Sequence, residues 1–226
     1  MRRDNREKSN KGFTLVELIV VLVILAVLAA ILTPALLGYI DQARSKRYFA
    51  NAKTCFDAAQ AMFSRQYGLN GEIKPGEALM PGTNRVSTSQ GNEDRDIVGS
   101  EFSKELLSLA GLPEGTPYCF MVAVGSNAAG VTDVSIVDKY TIYYAFYLES
   151  ENAKPWYYYN GEWSTTNPRH GDSNKIFSKQ NVIQSPYPHA GLRLQYYLIA
   201  ADKKLTDKYP TTILSGDFWN WLKAME

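Results

Sequence analysis

The stretch KGFTLVELIVVLVILAVLAAILTPALLGYI, residues 11–40, decides how the chain is read. From Leu18 to Ile40 the only ionisable side chain is Tyr39, which is neutral at working pH. The run is therefore long enough to cross a bilayer as a helix, which needs about 20 predominantly apolar residues. Glu17 stands at its edge. A carboxylate is costly to hold against hydrocarbon, and acids in such places tend to be paired and functional. The stretch thus raises the question of what pairs with Glu17.

The first 12 residues carry five Lys/Arg against two Asp/Glu, so they hold more positive charge than the net +1 of the whole chain. Basic residues before an apolar run favour a cytoplasmic amino end, with everything after the run outside. A secretory signal peptide would have an apolar core of roughly 7–15 residues ending at small residues. This run continues past that length and merges into a helical pattern. At 226 residues, the chain suits one ordinary domain plus an appendage. With 21% charged and 12% aromatic residues, including 15 tyrosines, it is neither disordered nor collagen-like. It lacks the global basic excess of a dedicated nucleic-acid binder, and no nucleic-acid partner is expected.

Beyond the run, Tyr48, Ala52, Cys55, Phe56, Ala59, Met62, Phe63 and Tyr67 recur at steps of three and four and trace one stripe of an amphipathic helix. Residues 13–67 are expected to form one helix, lipid-like over 13–40 and amphipathic over 41–67. Pro34 and Gly38 interrupt it. Pro34 lacks the amide that would bond the Ala30 carbonyl, so a bend or loosened turn is expected there.

Residues 68–226 read as a soluble head. Residues 68–99, rich in Gly, Pro, Asn and Ser, read as a long connecting loop. A short helix is expected at 100–110, with Ser100 as N-cap and Gly111 as C-terminal cap. An antiparallel sheet is expected over about 117–200, from YCFMVAVG, VTDVSIVD and TIYYAFYLES. WYYYNGEWSTT centres on Asn160-Gly161, a strong hairpin signal of type I′. GLRLQYYLIAADKKL fits either a strand or a short helix, and SGDFWNWLKAME, at about 216–224, reads as a terminal helix. The fold class is α+β, a long amino-terminal helix packed on an antiparallel sheet.

Gly12, Phe13, Thr14, Leu15, Val16 and Glu17, after a short basic leader and before an apolar run containing Pro34, resemble the class III signal of type IV prepilins. The resemblance covers about the first 30 residues closely and the helix-then-sheet plan loosely. It implies that residues 1–12 are a leader, that a prepilin peptidase cuts between Gly12 and Phe13, and that the new amine of Phe13 is methylated. That cut would create a cation at Phe13, and the family picture places Glu17 of an incoming subunit against the Phe13 amine of the subunit before it. The implied partners are further copies of the chain in a helical filament, the peptidase, an assembly platform protein and an ATPase motor. The implied location is a single-pass cytoplasmic-membrane protein before assembly and a cell-surface pilus afterwards. A pseudopilin of a secretion or competence system, and a membrane-anchored surface binding module, are the alternatives.

Other chemistry is thinly represented. Cys55 and Cys119 lack C-x-x-C spacing; a disulfide between them is permitted outside the cell, and so are two buried thiols. His170 and His189 lie in loop-like sequence without convergent ligands, so no metal site is expected. Glu93, Asp94 and Asp96 offer oxygens for calcium but lack an EF-hand order, and read as a solvated acidic loop. Trp156, Tyr157, Tyr158, Tyr159 and Trp163 could stack sugars, though alternate faces of a hairpin explain them more simply. No phosphate-cradling loop, nucleophile elbow or catalytic triad is legible, so neither an enzyme nor a cofactor is expected.

Overall fold

The computed structural model describes residues 12–71, 73–77, 79–80, 84–88, 91–95, 101–113, 115–128, 130–168, 176–177 and 181–201. The basic leader up to Lys11, the Ser100 cap, Asp96, His170 and the expected terminal helix lie outside the described residues. The chain divides into two compact units, Met1–Ser45 and Lys46–Glu226. Helix α1, Leu15–Asn70, contributes to both.

In the first unit α1 is apolar all round, and its most apolar window has no buried residue. Leu18, Leu22, Leu25 and Leu36 are each more than half exposed. A helix of this composition needs lipid or other helices around it. The helix runs unbroken through Pro34, and Thr33 Oγ1 donates to the Ala29 carbonyl at 2.7 Å.

The second unit is built on one sheet. Its strands are β1 (Asn84–Thr88), β2 (Gly91–Arg95), β3 (Cys119–Gly125), β4 (Ile142–Leu148), β5 (Trp156–Tyr159), β6 (Glu162–Ser164) and β7 (Leu194–Ala201), in the order β1-β2-β7-β3-β4-β5-β6. The five strands β7-β3-β4-β5-β6 are antiparallel neighbours, as expected of this α+β class. β5 and β6 meet through Asn160 and Gly161, both at positive φ (49° and 86°), which is the type I′ requirement.

β3 and β4 are buried on both sides. Alternation sends Phe120, Val122 and Val124 into one core layer and Cys119, Met121 and Ala123 into the other. The first layer receives Ala52, Cys55, Ala59, Met62 and Phe63 from α1, and Leu106 and Ala110 from α2 (Glu101–Ala110). The amphipathic stripe therefore falls where its spacing puts it from Ala52 to Phe63, while Tyr67 at its far end is 43% exposed and Tyr48 packs against the opposite layer. The opposite layer holds Tyr144, Phe146, Tyr157 and Tyr196, with Phe177 and Ile183.

Three parts depart from the sequence reading. Within 68–99, taken as a loop, β1 and β2 pair as a hairpin, and β2 lies parallel to β7, so the sheet is mixed at that edge. A run rich in Gly, Asn and Asp has low intrinsic strand preference, and pairing with a neighbour supplies what propensity does not. VTDVSIVD, taken as a strand, instead bends into the short helix α3 (Ile136–Lys139). Ser135 caps it, its Oγ accepting from the Asp138 amide at 3.2 Å. The bend is held close to β3 at Gly125, where a Cβ would sit 2.7 Å from the Asp138 backbone. GLRLQYYLIAADKKL, left open between strand and helix, supplies β7, with Tyr196 and Tyr197 pointing into opposite layers.

At its far end α1 runs three residues past the expected 67, and Gly71, at φ 57°, closes it by donating to the Tyr67 carbonyl at 3.0 Å. α2 ends as expected at Gly111, at φ 63°, whose amide reaches the Leu107 carbonyl at 2.9 Å.

Candidate functional site at the helix amino end

The first turn of α1 is organised by two side chains. Thr14 donates to Glu17 Oε2 twice, from its backbone N and from Oγ1, each at 2.8 Å. In return the Glu17 amide donates to Thr14 Oγ1 at 3.3 Å, and Leu18 N reaches the Thr14 carbonyl at 3.3 Å as the first helical bond. This is a capping box, in which a threonine and an acid three residues on satisfy each other and two orphan amides. The acid also sits where the helix dipole favours a negative charge.

Phe13 precedes the helix and is 87% exposed. The helix starts two residues later than expected, so the regular one-turn spacing between Phe13 and Glu17 is not in place, and the carboxylate turns to Thr14 instead. Gly12 lies in open space, where a Cβ would meet nothing within 4 Å. The packing of this chain therefore does not demand glycine at Gly12, nor at Gly38, which is equally open. Thr14 is the residue that the sequence reading passed over. Its signal is legible in TLVE, a threonine with a glutamate three positions on at the head of an apolar run.

The remaining candidates lie in the head. Cys55 and Cys119 are both buried and free, so the disulfide alternative is not formed. Cys55 enters the layer facing α1 and Cys119 the opposite one, and burial pushes both thiols above their ordinary range. Trp156, Tyr158 and Trp163 pack against Phe49 and Phe56 of α1, with ring centroids 4.3–6.1 Å apart, while Tyr157 fills the opposite layer. The aromatic series is thus used in packing the sheet edge on the helix. His189 stands edge-on to Tyr143 at 4.8 Å, and Asp138, held below the usual carboxylate range by Ser135 and Tyr143, lines the same open cleft of about 370 Å³. Among the described residues no group of three His, Cys, Asp or Glu is placed to hold a metal.

One buried acid was not foreseen. Glu149, 7% exposed, accepts from Asn51 Nδ2 at 3.0 and 3.2 Å and from the Tyr147 hydroxyl, and pairs with Arg47 at 3.6 Å. Further along, Gln60 donates to the Tyr140 carbonyl at 2.9 Å and accepts from the Ile142 amide at 3.0 Å. Both tie the second half of α1 to β4 and its entry.

Residues 8–33 match the prokaryotic N-terminal methylation motif, the class III signal of type IV pilins, which is shared by pilin- and pseudopilin-like prepilin proteins. The match spans Gly12, Phe13, Thr14 and Glu17 and ends one residue before Pro34. No curated protein and no solved structure matches the chain.

Proposed function

We propose that the chain is a prepilin that is cut between Gly12 and Phe13, methylated on Phe13, and polymerised through its amino-terminal helix into an extracellular type IV pilus for adhesion, motility or DNA uptake. The observation that carries this reading is the uncovered apolar half of α1 behind the methylation motif. About 20 residues of all-round apolar surface are satisfied by lipid before assembly and by the same surface of other copies after it. Residues 1–12 are the leader, removed by a prepilin peptidase; an assembly platform protein and its ATPase draw the processed subunit from the cytoplasmic membrane.

Glu17 and Phe13 set the axial register in this reading. In a low-dielectric surround an unpaired carboxylate is costly, and a cation within a few ångströms offsets much of that cost. The ions give specificity and the apolar contacts give cohesion. Pro34 and Gly38 are the places where the helix can adjust as it repacks.

The test is mass spectrometry of sheared surface filaments, which is expected to find this chain beginning with methylated Phe13. An intact leader confined to the membrane fraction would instead make the chain a tethered binding module. Fibres that stay short at native expression would assign it to the pseudopilins.

A further inference from the structure

We infer that Asn160 is a site of spontaneous covalent modification: the Gly161 backbone nitrogen attacks its side-chain amide and the residue becomes aspartate or isoaspartate, while Asn70, in the same tripeptide, is protected by the fold. The modification is independent of how the chain assembles.

Asn-Gly-Glu occurs twice, at 70–72 and at 160–162, and no other asparagine is followed by glycine. Glycine favours the reaction because its nitrogen reaches the asparagine carbonyl carbon with no side chain in the way. The local chemistry of the two sites is therefore the same, and the fold decides between them. At the end of α1 the Gly71 amide donates to the Tyr67 carbonyl at 3.0 Å, and Asn70 Nδ2 donates to Gln66 Oε1 at 2.7 Å. The Gly71 carbonyl also accepts from the Tyr140 hydroxyl at 3.4 Å. Nucleophile and leaving group are both held, so reaction at Asn70 requires the last turn of α1 to open.

At the β5–β6 turn neither group is held. Among the described residues, the Asn160 side chain and the Gly161 amide make no hydrogen bond. Both residues are exposed, and a Cβ at Gly161 would meet nothing within 4 Å, so the tip is open to water and has room to turn. Bringing Asn160 Cγ over the Gly161 nitrogen takes a rotation out of the type I′ geometry. β6 has three residues and pairs on one side only, so that rotation disturbs a short edge hairpin at the low end of local stability.

The reaction balances with water alone. The Gly161 nitrogen loses its proton to base and bonds to Asn160 Cγ; the Cγ–Nδ2 bond breaks, and Nδ2 takes up a proton and leaves as ammonia. Water then opens the cyclic imide at either carbonyl. One opening gives aspartate, and the other gives isoaspartate, in which the main chain runs through the former side chain. Either product places a negative charge beside Glu162. Isoaspartate also adds a main-chain atom to a two-residue turn, whose geometry is matched to the flanking strands, and so separates the Tyr159–Glu162 pair.

The test holds the full chain, purified in detergent, in mildly alkaline buffer at physiological temperature. Peptide mass spectrometry follows both asparagines in the same sample, with fragmentation to distinguish isoaspartate from aspartate. A parallel sample in denaturant removes the fold. In the folded chain Asn160 is expected to convert about tenfold faster than Asn70 or more, because two hydrogen bonds withhold the reactive geometry at Asn70; in denaturant the two rates are expected to agree within about two-fold. Asn160→Gly, which keeps a turn suited to positive φ, is expected to melt like wild type and to remain unmodified there. Folded-state rates within about two-fold of each other overturn the inference. So does an Asn160 that converts in denaturant and not in the folded chain, since the turn would then hold it as α1 holds Asn70. A tenfold difference that persists in denaturant also overturns it, because the fold would not be its cause.

Discussion

The two halves of α1 dispose of apolar surface in opposite ways, and each carries or meets one acid that shows how. Before Ser45, the leucines and valines are more or less equally exposed around the helix, and Glu17 is satisfied by Thr14, three residues away on the same chain. After Lys46, a single stripe is buried on the sheet, and Asn51 and Arg47 reach Glu149, about a hundred positions away. The first half can satisfy its polar group before any tertiary structure exists. The second half can do so only once β4 is in place. One element is therefore prepared for a solvent other than water, and the other is a component of an ordinary globular core.

The sharpest way to break this comparison is to delete the same kind of bulk from both halves. Phe63 is 0% exposed and meets Tyr197 with ring centroids 5.3 Å apart, so Phe63→Ala is expected to destabilise the head by about 3–5 kcal/mol in chemical denaturation of the full chain in detergent. Leu25 is 56% exposed. Leu25→Ala is expected to leave the head transition where it was, because no buried contact is removed. Equal losses from the two would abolish the distinction.

The next effect is smaller and concerns the buried acid. Glu149→Ala removes the acceptor of the Tyr147 hydroxyl and of Asn51, and is expected to cost about 2–3 kcal/mol, since buried donors are left without partners while Arg47 remains in water. Glu149→Gln keeps one acceptor oxygen and should recover much of that in the same denaturation curve. If the glutamine variant is as unstable as the alanine variant, charge rather than acceptor count is what matters at this site.

How much of this is legible in the sequence follows from the range of the interactions. The apolar run, the amphipathic stripe, the Asn160-Gly161 turn and the Gly111 cap all rest on residues within one or two turns of each other, and the structure places each of them as read. The Thr14–Glu17 box is just as local and stands in four consecutive letters, although the reading of the apolar run passed over it. Glu149 is different: nothing near LESEN indicates that Asn51 and Arg47 will arrive from another element. The parallel alignment of β2 with β7 is equally non-local, since Glu93 opposes Tyr196, whereas the β1–β2 hairpin is local and its Gly-, Asn- and Asp-rich residues hide it by their low strand preference. VTDVSIVD failed for a local reason, in that the cap at Ser135 outweighed a β-branched pattern that on its own favours strand.

The smallest expected effect tests whether polar links on the outside of α1 matter as the buried ones do. Arg65 donates to both oxygens of Glu105 on α2, with one contact at 3.0 Å, and both side chains are about half exposed. The hydrogen bonds from Arg65 hold the Glu105 carboxyl below its ordinary range. A carboxylate whose pKa is lower in the folded chain stabilises the fold above its unfolded pKa, and that contribution is lost as pH falls through the lowered value. Its size is limited by solvent screening and by the freedom two long side chains give up. Arg65→Ala is accordingly expected to melt indistinguishably from wild type at physiological salt. Any difference should appear only at low salt and neutral pH, and it should vanish on acidification. A loss comparable to that of Glu149→Ala would mean that the Arg65–Glu105 link between α1 and α2, not the sheet-facing network, holds the second half of the helix in place.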